Sequence, residues 1–138
     1  MMTLTALTGP PAQAADSAPR RAYEVVTETA LPHLEENLRY ATTRRRLCLS
    51  RSELFAAFPA LSHDSLAGCR LGDERHHEDT ISFRLVCDGG HSTTGAARWL
   101  VGAAQISGTL DVRLGGKNMT FYQRIAATPL GECIADAN

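Results

Sequence analysis

Four cysteines, Cys48, Cys69, Cys87 and Cys133, carry the clearest chemistry in this chain. No two of them have the C-x₂₋₄-C spacing of a zinc half-site, so they read as a disulfide framework and not as metal ligands. A hairpin made of 69–75 and 80–87, centred near Glu78, would set Cys69 opposite Cys87 and Leu71 opposite Leu85, all on one face. Cys48 would then be left for Cys133. The rival pairing, Cys48–Cys69 with Cys87–Cys133, stays open, because opposed strand cysteines suit bridge geometry only at some ladder positions. Either bridge would stabilise the fold by roughly 3 kcal/mol in the chain-entropy picture.

The remaining reactive residue types do not assemble into a known pattern. The histidines are His33, His63, His76, His77 and His91. Only His76 and His77 are neighbours, and adjacent strand side chains point to opposite faces, so they read as part of a solvated turn. Ser62-His63-Asp64 contains the residue types of a catalytic triad, but contiguous residues do not reach triad geometry, and no G-x-S-x-G elbow is present. The carboxylate pairs Glu35-Glu36 and Glu78-Asp79 fall in polar turns, where they stay solvated and ionised. Gly89-Gly90 and Gly115-Gly116 lie between strands and not at a strand-to-helix junction, which makes them turn glycines and not a phosphate loop. Arg44-Arg45-Arg46 reads as a solvated strand edge that discourages sheet-to-sheet pairing, with an anionic partner as the weaker reading. Asn118-Met119-Thr120 matches the glycosylation acceptor pattern, a match common by chance. No metal and no cofactor is implied.

The elements that must position these residues read mostly as strand. A chain of 138 residues is long enough for one domain with a sizeable core. Its net charge of −1 gives no field that would draw nucleic acid or an anionic membrane. No apolar run approaches the roughly 20 residues of a membrane-spanning helix. Residues 1–14 carry no charged side chain and end in Ala12-Gln13-Ala14, the small-x-small form read by signal peptidase. The apolar stretch Met1 to Leu7 is short and lacks a basic flank, as if the start lay inside a longer signal. Segment 15–21 reads as a linker, 22–134 as one disulfide-stapled β-domain and 135–138 as a tail.

Within that domain, Tyr23 to Ala30 is β-rich and Pro32 stops it. Leu38 to Leu49 forms a charged second strand. Ser50-Arg51-Ser52-Glu53 matches an S-x-x-E capping box and opens a short helix over 51–58, with Leu54, Phe55 and Phe58 as its apolar stripe and Pro59 as its stop. Alternation then continues through Thr80–Cys87, Thr93–Val101, Ile106–Leu114 and Met119–Ala126. The whole predicts a mainly β fold: an antiparallel meander of about seven strands, as a strongly curved sheet or an up-and-down barrel. Phe83, Trp99, Met119 and Phe121 share the inward parity. They would line an apolar ligand pocket if the sheet closed, although filling the core is the favoured reading.

The ordered set of segments resembles the bacterial domain of unknown function 3617 family of small exported proteins. Tyr23-Glu24-Val25-Val26-Thr27 is similar to its Trp-Glu-Val-Thr opening strand. Cys48-Leu49 before a helix with an early Glu53 is similar to its Cys-Leu-Thr-Pro-Glu segment. The Cys69–Cys87 hairpin, the stretches Thr93-Thr94-Gly95 and Ser107-Gly108-Thr109-Leu110, and the closing Gly131-Glu132-Cys133 follow in the family's order. Tyr23 in place of Trp, one extra residue at the helix start and a diluted Met/Thr alternation depart from it. The resemblance covers roughly 22–134 and implies a periplasmic or secreted β-domain, with no assigned activity.

The expectation is therefore an exported, non-catalytic domain that acts by binding, first of all to another envelope protein. The alternative is a carrier that holds a small lipophilic molecule between the sheet and the 51–58 helix. A third class, an enzyme with a site assembled from dispersed loops, would need converging polar side chains with shifted pKa values in a cleft.

Overall fold

The computed structural model describes residues 19–30, 40–88, 92–115 and 119–133, together with residue 3. The rest of the leader, Pro32, His33, Glu35-Glu36, Gly89-Gly90-His91, Gly116, Asn118 and the tail lie outside the described residues.

Seven strands form a single antiparallel sheet: β1 (Arg20–Ala30), β2 (Tyr40–Ser50), β3 (Cys69–His77), β4 (Thr80–Cys87), β5 (Thr94–Val101), β6 (Ile106–Leu114) and β7 (Met119–Glu132). Their order is β2-β1-β7-β6-β5-β4-β3. Every pair of consecutive strands is therefore joined except β2 and β3, and β1 closes on β7 instead. Had β2 also paired with β3, the sheet would have been an up-and-down barrel. It is a curved, open sheet with β2 and β3 at its edges.

The chain fills that seam with helical turns. α1 (Arg51–Phe55) is followed by two 3₁₀ turns, Pro59–Ser62 and Asp64–Leu66. Their Leu54, Phe55, Phe58 and Leu66 are buried in one cluster with Trp99, Leu110 and Ile125 of the sheet. A barrel of about eight strands is already filled by its own inward side chains. A seven-stranded one has no room for four more large residues, so the open seam follows from the helical insertion.

Local chemistry starts and stops α1. Ser50 Oγ accepts from Glu53 N at 3.2 Å, and Ser50 N donates to Glu53 Oε1 at 2.9 Å, a complete capping box. The hydrogen bond from the Ser50 amide, helped by the Ser50 hydroxyl and by Arg20, holds the Glu53 carboxyl below its ordinary value against a smaller opposing effect of burial. The helix is shorter than the expected 51–58. It ends at Phe55 with Ala56 as C-cap, and Phe58 reaches the core from an extended backbone at the entrance to the Pro59 turn.

The disulfides are Cys69–Cys87 and Cys48–Cys133. The first joins directly opposed residues of the β3–β4 hairpin, whose register also sets Leu71 against Leu85. Asp73 and Glu78 take positive φ, at 52° and 56°, one at the bulge between Gly72 and Arg75 and the other in the turn. The second bridge brings the end of β7 over β1 to the edge strand β2, with Cα atoms 5.6 Å apart. β7 runs past the expected stop at Ala126 to Glu132. There β6 has ended at Ile106↔Ala127, and β7 continues as the partner of β1, with Pro129 in a position open on its β6 side.

Candidate functional site: an apolar cleft beside the helical turns

Trp99 fixes the helical segment on the sheet. It is fully buried, and its Nε1 donates to the Phe55 carbonyl at 3.1 Å. Its ring meets Phe55 and Phe58 with centroids 5.3 and 5.2 Å apart. The other side of the ring rests on Gly108, its cross-strand partner. A Cβ at Gly108 would lie 2.5 Å from two of the indole carbons. Only a residue without a side chain admits the ring there.

Gln123 ties down the other end. Its side chain points to the inward face between Phe121 and Ile125, and the residue is almost fully buried. Oε1 accepts from Ala60 N at 3.0 Å, and Nε2 donates to Thr29 Oγ1 at 2.9 Å. The amide thus satisfies a backbone N–H of the first 3₁₀ turn that burial would otherwise leave costly.

On the side of Gln123 away from Trp99, a half-open cleft of ≈ 370 Å³ opens between the helical turns and the sheet. It is lined by Pro59, Ala60, His63 and Ser65 of the helical turns and by Thr29, Leu114, Met119, Phe121 and Gln123 of the strands. The accessible lining is mostly apolar, and no Asp, Glu, Lys or Arg is among its described residues. This is the composition of a small-molecule site, with apolar walls and few polar groups.

Of the residues expected from the sequence to line a pocket, Met119 and Phe121 lie in this cleft. Trp99 and Phe83 do not. Trp99 is consumed in the core, and Phe83 packs on Phe55 with centroids 5.9 Å apart. All four share the inward face, but β4–β5 and β7 place them under different parts of the helical segment. His63, Gln123 and Ala60 were missed. The signal for Gln123 was present: it is the one polar residue in the inward series Met119, Phe121, Gln123, Ile125.

The other candidates are spread over the surface. Ser62-His63-Asp64 ends one 3₁₀ turn and starts the next, and His63 Nδ1 accepts from Ser65 N at 3.1 Å instead of facing a serine hydroxyl. His76 pairs with Glu74 on the exposed β3 hairpin. Glu78 and Asp79 form the turn of that hairpin. Arg44 pairs with Glu24 on β1 at 2.7 Å, while Arg45 and Arg46 are exposed on the β2 edge strand. No group of three His, Cys, Asp or Glu able to hold a metal is found among the described residues, and no helix among them is long and apolar enough to cross a membrane. No protein family, curated protein or solved structure matches the chain significantly.

Proposed function

We propose that this chain is an exported, non-catalytic domain that carries a small lipophilic molecule in the cleft beside the helical turns. The observation that carries the reading is the cleft itself: a mostly apolar hollow of ≈ 370 Å³ beside the buried core cluster. Pockets for small ligands begin at about 300 Å³.

Two disulfides fit maturation in an oxidising, extracytoplasmic compartment. We place the protein in the periplasm or among secreted proteins, in keeping with the signal-like leader and with the resemblance to the domain of unknown function 3617 family. An envelope-protein partner is the second reading. It is favoured by the long edge strand β2, which presents Arg45 and Arg46 to solvent.

The test is binding of the apolar dye 1-N-phenylnaphthylamine, whose fluorescence rises in apolar surroundings. The protein enhances it saturably, and Ala60→Phe, which fills the cleft from the helical side, weakens binding about tenfold or more without lowering the melting temperature. Absence of saturable enhancement, or equal enhancement in Ala60→Phe, would contradict the proposal.

A further inference from the structure

The reading of the cleft as a lipophilic site leaves open which end of a ligand faces which wall. His63 decides it. Its Nδ1 accepts a hydrogen bond from the Ser65 amide. A ring nitrogen that accepts carries no proton, so this bond selects the neutral tautomer with hydrogen on Nε2. Among the described residues no protein group meets Nε2. An N–H donor on an exposed residue that lines the cleft is therefore present beside the apolar side chains.

The rest of the lining narrows the ligand. No carboxylate is among the described residues that line the cleft, so none of them offers a charge to a cationic head group. The amide of Gln123 is held by Ala60 and Thr29, so its orientation at the cleft is set by the fold and not by a ligand. The volume of ≈ 370 Å³ corresponds to roughly a dozen water-sized groups at about 30 Å³ each. One chain of medium length fits; a pair of long chains does not.

On these grounds, and resting on the carrier reading above, we infer that the cleft takes a single-chain amphiphile of medium length, with its chain along Pro59, Leu114, Met119 and Phe121 and its acceptor end, a carboxylate or an ester carbonyl, on the Nε2–H of His63. His63 is thus a specificity residue. It selects acceptor-ended over cation-ended chains of equal length.

The experiment measures displacement of the bound dye by decanoate, methyl decanoate and decyltrimethylammonium, each below its micelle concentration. Wild-type protein binds decanoate and methyl decanoate and prefers both to the cation, decanoate by about tenfold or more and the ester by a few fold, the ranges of one hydrogen bond to a charged and to a neutral acceptor. His63→Asp keeps an acceptor for the Ser65 amide and so preserves the turn, but it removes the donor. It weakens decanoate about tenfold or more and strengthens the cation. His63→Asn restores an N–H and recovers most of the decanoate binding. Equal decanoate affinity in His63→Asp and wild type would overturn the assignment, as would parallel loss of both head groups. Failure of every amphiphile to displace the dye from wild-type protein would instead overturn the carrier reading itself.

Discussion

Gly108→Ala is the sharpest perturbation of this architecture. In a strand interior the exchange ordinarily stabilises, by roughly 0.4–1 kcal/mol, because alanine has less freedom to lose on folding. Here the added methyl would sit 2.5 Å from the Trp99 carbons Cδ2 and Cε3. Carbon atoms prefer about 3.5–4.0 Å, so the ring must withdraw by roughly 1 Å or more. Overpacking of this kind costs about 1–3 kcal/mol. Withdrawal also stretches the bond to the Phe55 carbonyl, worth about 1 kcal/mol. After the entropy gain is subtracted, the expected net loss is about 2 kcal/mol. Trp99 is the only tryptophan, so urea unfolding followed by its fluorescence reports the site directly. A second background isolates the contact: with Trp99→Leu in place, Gly108→Ala is about neutral, giving a coupling of roughly 2 kcal/mol. Gly108→Ala within about 0.5 kcal/mol of wild type, or an equal cost on both backgrounds, would refute the reasoning.

Three further outcomes follow from the same contacts. Gln123→Leu leaves the Ala60 N–H without its acceptor and destabilises the fold by about 1–3 kcal/mol, while weakening dye binding, because that bond holds the cleft wall in place; thermal melting together with dye titration checks both. Removing the Cys48–Cys133 bridge, with a sequence separation of 85, costs roughly 4.5 kcal/mol, against roughly 3 kcal/mol for Cys69–Cys87, separation 18. Paired Cys→Ser variants in urea should rank in that order. Glu53 has its folded-state pKa lowered from 4.5, so its share of stability is present above that value and is lost as the pH falls through the lowered folded one. The stability gap between wild type and Glu53→Gln is thus constant from about pH 5.5 to 8 and shrinks in acid, as denaturation across pH would show.

Local signals carried much of the fold. The spacing from Cys69 to Cys87 and from Leu71 to Leu85 defined a hairpin register, and the observed pairs are those. Ser50 and Glu53 announced a helix start that forms with both bonds of the capping box. The helix end was obscured by Phe58, whose spacing extends the apolar stripe although its backbone is extended. The closure of β1 on β7 was hidden for another reason. It joins residues about a hundred positions apart, such as Thr27 and Ile125, and no local pattern encodes that contact. The cleft was only half legible. Strand alternation gives the face a side chain occupies but not its place along the curve of the sheet, so Trp99 and Phe83 could not be separated from Met119 and Phe121. Ser62-His63-Asp64 drew attention to His63 only as a triad-like run; its place in the cleft gave no local signal, because its partner is a backbone amide and the strand residues beside it are distant in sequence.

The central claim is that the cleft between the helical turns and β6–β7 is the site where this protein holds its ligand. Met119 is one of three methionines, and the other two are Met1 and Met2 of the leader. The direct measurement is an NMR titration with decanoate of protein labelled at the methionine methyl groups and at backbone nitrogen. Saturable shifts are expected of the Met119 methyl and the Ala60 and Ser65 amides, with the amides of Arg98 and Thr109, cross-strand partners on β5 and β6, unmoved. Shifts scattered over the surface, or an unmoved Met119 methyl at saturating decanoate, would contradict it.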